Sequence, residues 1–260
     1  MAWYAYCICE KQSFPELARH RKPIPLEAVT GVSGNQVFLY PASDLALIVS
    51  EHNPEEQYDQ KAGVDHARVI ADCFKLSTVL PFRFGTVFND DEALRRSIRS
   101  NQRQFFANME RLRGKAEMHL KVVVDDCCRE ATKPVLQDCV GKEYLSSLRE
   151  NATRQRERQT KARAISVQLH RMFAPLDEEI SCRRTEAGKM LLDIAHLIDS
   201  KCVERYQNKY SSATHILKDC RLQLSGPWPA YHFVHKLIRP CHQAPIATPI
   251  AVSHEVVGAV

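Results

Sequence analysis

The chain has 260 residues, 44% of them hydrophobic and 26% charged, and its formal net charge is +5. This composition is that of a globular protein with one large domain or two domains of ordinary size. The positive charge is weak for a nucleic-acid-binding protein, and no apolar stretch approaches the roughly 18 residues of a membrane-spanning helix. The N-terminal sequence lacks the basic segment and long apolar run of a signal peptide, so we expect a cytoplasmic protein whose ten cysteines are reduced.

In the first half of the chain, short apolar runs alternate with turn signals, which predicts a sheet accompanied by helices. We expect strands at 2–9, 26–32, 36–40 and 44–51, helices at 15–22 and 58–76, and an extended segment at 77–88. Apolar residues within the second of these helices recur at spacings of three and four, which predicts one buried face. That face consists of Val64, Ala67, Ile70, Ala71 and Phe74.

The next helix opens at Asn89, which is followed by acidic residues in the first turn, and Gly114 ends it. The remaining elements follow the order β-α-β-β-α-β, which is the split βαβ pattern of ferredoxin-like domains. We expect them at 118–125, 141–173, 180–185, 189–197, 199–210 and 217–225.

The predicted fold class is therefore α+β, with two tandem ferredoxin-like (split βαβ) domains, because the first half follows a looser version of the same order. The N-terminal domain spans 1–88, a connecting helix spans 89–116, and the C-terminal domain, with its one long helix, spans 117–235. The remaining segment, 236–260, is an apolar tail that is either flexible or docked in extended form.

Motifs for catalysis and for binding nucleotides or metals are missing from the sequence. Four possible zinc ligands occur close together, namely His232, His235, Cys241 and His242, but they do not form the two spaced pairs of a structural site. We interpret them as surface and core-edge side chains. The sequence thus predicts no catalytic residues, no metal and no cofactor.

The segment PFRFGTVF (81–88) has a faint similarity to the RNA-binding octamer of an RRM domain, but the two patterns differ in register. The alternation of Phe82 and Phe84 with Arg83 and Gly85 is more typical of a structural strand. The basic run 149–163 is typical of the solvated face of a long helix. A nucleic-acid or small-ligand binding module on tandem ferredoxin-like domains remains the alternative function.

Several longer stretches together resemble the gas vesicle synthesis F/L protein family. They occur in the family's order and cover the chain from about residue 3 to 235. They read LALIVS (45–50), HARVIADCF (66–74), LPFRFGTVF (80–88), EMHLKVVVD (117–125), GKEYL (141–145), LLDIAHLID (191–199) and GPWPAYHFV (226–234). One departure is Ala230, where the family usually has a second proline.

The resemblance implies a non-enzymatic accessory or minor structural protein of the gas vesicle. Such a protein would assist assembly by binding the small hydrophobic shell protein and other accessory proteins and by limiting their aggregation; nucleic acid and membrane are not expected as partners. The proposed contact residues are Trp228, Tyr231 and Phe233, with the tail and the long helix as further candidates. The aromatic stretch is also compatible with a structural corner whose rings pack inward.

Overall fold

The computed structural model describes residues 1–53, 55, 58–124, 141–184 and 189–234, with ten strands and four α-helices in that part of the chain. The strands are β1 (Ala2–Glu10), β2 (Ile24–Thr30), β3 (Gln36–Ala42), β4 (Leu45–His52), β5 (Val79–Pro81), β6 (Val87–Phe88), β7 (Lys115–Val123), β8 (Asp177–Arg184), β9 (Met190–Asp199) and β10 (Arg221–Trp228). The helices are α1 (Gln60–Phe74), α2 (Asp91–Leu112), α3 (Gly141–Phe173) and α4 (Val203–Ile216).

The first sheet has the strand order β2-β3-β4-β1-β5, and β6 also pairs with β1. Strand β1 lies inside this sheet, and seven of its nine residues are buried. A register shift between Ala5 and Cys7 lets the strand place Ala5 and Ile8 on one face but Tyr6 and Cys7 on the other. Apolar residues therefore meet a packed layer on both faces of this sheet.

Helices α1 and α2 supply these layers. Helix α1 begins after Asp59, whose side chain accepts the Ala62 N–H at 2.8 Å, and it packs on the face that carries Tyr4 and Tyr6. Helix α2 begins after Asp90, whose side chain caps it in the same way, and it packs on the opposite face. Such caps satisfy backbone N–H groups that have no partner within the helix.

The second sheet has the strand order β10-β7-β9-β8, with every pairing antiparallel. One of its faces packs against α3 and α4 through a core that includes Leu120 and Tyr206. Its other face contributes Ala195 and Leu197 to the core that α2 forms with the first sheet. Helix α2 thus lies in a core shared by both halves of the described chain.

Helix α3 has 33 residues, which corresponds to a length of roughly 50 Å. Among its described side chains, those anchored in the core lie in the C-terminal part, namely Ala162, Ile165, Leu169 and Phe173. The side chains of residues 145–157 are all exposed, among them Leu145 and Leu148. This part of the helix is available for contact with another molecule.

In the first half of the chain, two predicted elements differ from the structure. The expected helix at 15–22 is a single 3-10 turn, Pro15–Ala18, because only Leu17 of this segment is buried and little packing favours a longer helix. The expected extended segment at 77–88 is interrupted between β5 and β6, where Gly85 has a φ of 79°.

The predicted tail, 236–260, lies outside the described residues. Within the described part of the chain, no helix is both long enough and apolar enough to cross a membrane.

Candidate functional site

The aromatic stretch at 226–234 begins with a bulge in strand β10. The pairing with β7 shifts between Ser225 and Trp228, at a cis Gly226–Pro227 peptide bond. Gly226 has a φ of 117°, and a Cβ there would lie 2.8 Å from the carbonyl oxygen of Glu117. Only glycine fits this backbone conformation and this close approach. The strand continues past the bulge to Trp228, three residues beyond its predicted end.

A tight turn follows, and it divides the aromatic rings into two groups. The Tyr231 N–H donates to the Pro229 carbonyl at 2.7 Å, and the Val234 N–H donates to the Ala230 carbonyl at 3.1 Å. Phe233 is only 5% exposed and packs with Ala230 in the core shared with α2. Trp228 and Tyr231 remain 42% and 40% exposed. We call residues 226–234 the aromatic corner.

Phe233, one of the three predicted contact residues, is buried in the structure. The sequence pattern groups this residue with Trp228 and Tyr231, but a side chain within the core cannot contact a partner without unfolding the corner. The stretch therefore divides into buried and exposed residues. Phe233 and Ala230 anchor the corner, while Trp228 and Tyr231 offer apolar surface.

A buried carboxylate, Glu117 of β7, holds the corner against the sheet. Its Oε2 accepts the His232 N–H at 2.8 Å, and its Oε1 accepts a hydrogen bond from His232 Nδ1 at 2.7 Å. His119 Nε2 donates to the same Oε1. Burial by itself would raise the pKa of Glu117, but the hydrogen bonds from His119 and His232 lower it. The hydrogen bond to Glu117 in turn raises the pKa of His232.

Arg111 of α2 ties the corner to the rest of the molecule. Its guanidinium donates to the carbonyl oxygen of Phe233 and forms an ion pair with Glu179 of β8. The aromatic corner is thus fixed by β7 on one side and by α2 on the other.

A second histidine cluster lies inside the first half of the molecule. The Tyr4 hydroxyl is 2.8 Å from His66 Nδ1, and His66 Nε2 is 3.2 Å from the carbonyl oxygen of Phe82. A neutral imidazole with its proton on Nε2 satisfies both contacts. Burial lowers the pKa of His66 to about 4, so this ring stays neutral at physiological pH.

Three cysteines also meet in this half, namely Cys7, Cys9 and Cys73. The Sγ atoms of Cys7 and Cys9 are 3.8 Å apart, and both residues are fully buried. Burial raises the pKa of these two thiols well above the ordinary value, which keeps them protonated and unreactive. Cys7 and Cys9 thus behave as small buried hydrophobic residues, whereas Cys182 is exposed.

A similar overall fold occurs in solved structures. The crystal structure of the gas vesicle protein GvpF from Anabaena sp. PCC7120 matches with a TM-score of 0.68 and 18% identity, covering 90% of this chain and 98% of that one. GvpF from Microcystis aeruginosa matches with a TM-score of 0.67 and 18% identity, covering 90% and 99%. At these identities the likeness establishes the fold.

The family itself is decided by sequence. The statistical model of the gas vesicle synthesis protein GvpL/GvpF family matches residues 2–235. The chain belongs to this family. A relative within it, gas vesicle protein L of Streptomyces sp. (strain CB03234), is 26% identical over 232 residues, which is 84% of this chain and 82% of that protein. The expected assignment to the gas vesicle is thereby confirmed.

Within this GvpL/GvpF family member, sequence reasoning located the aromatic corner but missed the residues that hold it. Glu117 and His119 form a Glu-x-His pair on a predicted strand, and alternate residues of a strand share one face. This Glu-x-His pair was the sequence signal that could have indicated the residues holding the corner. Its partner His232 is 113 positions along the chain from His119, and no local pattern connects the two. His235, Cys241 and His242 lie outside the described residues.

Proposed function

We propose that this GvpL/GvpF family member is a non-enzymatic accessory or minor structural protein of the gas vesicle. It assists assembly by binding the small hydrophobic shell protein, together with other accessory proteins, and it limits their aggregation. A subunit with a large apolar surface aggregates before assembly unless that surface is covered. Covering it requires a partner with exposed apolar side chains on a rigid support.

The exposure of Trp228 and Tyr231 on the fixed aromatic corner is the observation that carries this proposal. Large aromatic side chains provide much of the binding energy in protein interfaces. The corner is already ordered by the core residue Phe233 and by the hydrogen bonds of Glu117. Binding there requires little further ordering of the backbone, and this lowers its entropic cost.

The exposed part of α3, residues 145–157, is a second contact surface. Leu145 and Leu148 are spaced by three residues and lie on one side of the helix, among polar side chains. An amphipathic helix of this kind suits a groove or another helix in a partner. This surface fits other accessory proteins better than the shell protein, because its apolar area is small.

We also propose a domain division that accompanies this role. The order β7-α3-β8-β9-α4-β10 and the sheet order β10-β7-β9-β8 support a ferredoxin-like C-terminal domain at 117–235. In the N-terminal domain, 1–88, β1 is followed by 3-10 turns instead of an α-helix, and β2 is added at the edge. Helix α2, within the connecting segment 89–116, then fixes the two domains through their shared core.

Co-expression with the shell protein tests the role. We expect the fraction of shell protein that sediments to fall when the wild-type chain is present. The double substitution Trp228→Ala with Tyr231→Ala should restore sedimentation and weaken the complex by at least about tenfold, as loss of two interface anchors does.

A matched control is the pair Val64→Ala with Leu76→Ala, which removes two exposed apolar side chains in the first half of the molecule. These variants should behave like the wild type. Equal sedimentation with and without the wild-type chain would contradict the proposed role. Equal loss in both double variants would show that contact is not specific to the aromatic corner.

A further inference from the structure

Three metal-binding atoms converge beside the aromatic corner. They are Glu117 Oε1, His119 Nε2 and His232 Nδ1. The last of these is 2.7 Å from Glu117 Oε1, and the three residues offer ligand atoms that all lie within 4.8 Å of one another. Two imidazoles and one carboxylate form a donor set that Zn²⁺ takes in proteins.

The fold itself creates this convergence. Glu117 and His119 are alternate residues of β7, so both side chains stand on the same face of the second sheet. The bulge at Gly226 and the turn after it bring His232 over this face. The His232 N–H holds Glu117 Oε2 at 2.8 Å, which leaves Oε1 directed at the two rings.

A second carboxylate supports the orientation of His119. Asp193 Oδ1, on the neighbouring strand β9, is 4.0 Å from His119 Nδ1. This oxygen is buried and has no hydrogen-bond partner among the described residues. When Nε2 of a histidine binds a metal, its Nδ1 carries the proton and usually donates it to a carboxylate or a carbonyl group. Asp193 is placed to accept that proton after a small movement of the ring.

The site also has an approach from solvent. Glu117 is fully buried, the His119 side chain is 18% exposed, and the His232 side chain is 46% exposed. Ligand atoms around a tetrahedral Zn²⁺ are about 3.3 Å apart when each bond is about 2.0–2.1 Å long. Both imidazole rings therefore need to retreat from Glu117 Oε1, the His232 ring by about half an ångström, which its partial exposure allows.

We propose that Glu117, His119 and His232 bind one Zn²⁺ ion, with Asp193 as the outer carboxylate that orients His119. Three protein ligands leave a fourth coordination position for water or for a side chain of a partner. The ion links β7 to the turn that carries Tyr231. The zinc site involves only these four side chains, so it does not depend on which partner the protein binds.

Zinc titration of the full-length, tag-free chain, stripped with EDTA, tests this inference. A colorimetric chelator of known affinity competes for ZnSO₄, so that both stoichiometry and affinity are measured. We expect one Zn²⁺ per chain. His119→Ala and His232→Ala should each weaken binding by at least about tenfold, the scale on which even outer partners of metal ligands act.

Two controls separate this site from other histidines and thiols. His215→Ala removes an exposed histidine of α4 and should leave the affinity unchanged. The double variant Cys241→Ser with His242→Ala should also bind Zn²⁺ normally. If that double variant loses binding while His119→Ala retains it, the ion belongs to the alternative set around His235, and the proposal is wrong.

X-ray absorption of the zinc-loaded protein gives an independent readout. We expect a nitrogen and oxygen shell with the signature of two imidazoles. A sulfur shell would assign the ion to cysteines and would overturn the proposal, as would the absence of zinc binding. Circular dichroism checks that each variant is folded, and the half-exposed position of His232 makes His232→Ala the safest variant in this respect.

Discussion

Two histidine clusters of this protein place the same side chain in opposite environments. In the inner cluster, His66 of α1 is buried between Tyr4 and the carbonyl oxygen of Phe82. In the outer cluster, His232 follows β10, is half exposed, and pairs with the buried carboxylate of Glu117. Both histidines connect segments that are distant in the sequence.

The difference shows how burial decides what a histidine can do. Around His66 the partners are a hydroxyl and a carbonyl, so the neutral ring is favoured and its pKa falls to about 4. Around His232 the hydrogen bond to a carboxylate raises the pKa. The inner cluster therefore contributes to stability, while the outer cluster keeps donor atoms within reach of solvent and of ligands.

The largest expected effect distinguishes the buried Phe233 of the aromatic corner from the exposed Trp228. Phe233→Ala should lower the free energy of unfolding by about 3–5 kcal/mol, because it leaves a cavity in the shared core. Trp228→Ala should cost about 1 kcal/mol or less, since much of this ring is already exposed. Urea unfolding of both variants measures the difference. Similar losses in both would mean that Trp228 is also part of the anchor.

Acidification should destabilise the protein through its buried histidines. His66 and His196 have pKa values lowered to about 4 by burial, whereas an unfolded histidine titrates near 6.5. Between pH 6.5 and 4 the unfolded chain binds more protons, so the free energy of unfolding falls as the pH falls. The contribution is on the order of 3 kcal/mol for each histidine.

Urea unfolding at a series of pH values checks this dependence. The variant His66→Gln should show a shallower loss between pH 6.5 and 4, because one of the two buried groups no longer titrates. The exposed His20 supplies the control, since His20→Gln should leave the slope unchanged. A slope that His66→Gln does not alter would contradict the assignment of a neutral buried ring.

A smaller effect should follow from a single hydroxyl of the inner cluster. Tyr4→Phe removes the donor to His66 Nδ1 and should cost about 1–3 kcal/mol, because that buried nitrogen is left without its partner. In the aromatic corner, beside the outer cluster, Tyr231→Phe should change stability by no more than about 0.5 kcal/mol, because this residue is 40% exposed. Thermal unfolding of the two variants gives the comparison directly.

The smallest expected effect is stabilising. Gly63 lies within α1, the helix that carries His66, and a Cβ there would meet no atom within 4 Å. Gly63→Ala should therefore raise the free energy of unfolding by roughly 0.5–1 kcal/mol, as glycine-to-alanine changes inside helices do. A loss of stability would show that a side chain at position 63 disturbs the packing of α1, contrary to the open space around Gly63.

Helix α1 illustrates how far the sequence predicts the fold. Its position was predicted, and Ile70 of the predicted face is buried, but the face was only partly right, because Val64 is exposed whereas Asp65 and His66 are buried. An apolar periodicity of three and four identifies a helix. It carries no information about Tyr4, which lies on a distant strand and stabilises the buried His66 ring by a hydrogen bond. Hydrophobicity alone therefore predicts only part of the buried face of this helix.

Taken by itself, the sequence determined what depends on neighbours along the chain. It located most of the strands and helices in their order, the acidic first turn of α2, and the family motifs, because periodicity, capping and turn chemistry act over a few residues. Only the tertiary structure decided which aromatic rings of the corner face solvent and which histidines meet a carboxylate. Those outcomes depend on β7 and the segment after β10 packing together across more than 100 residues, where burial sets the cost of every polar group.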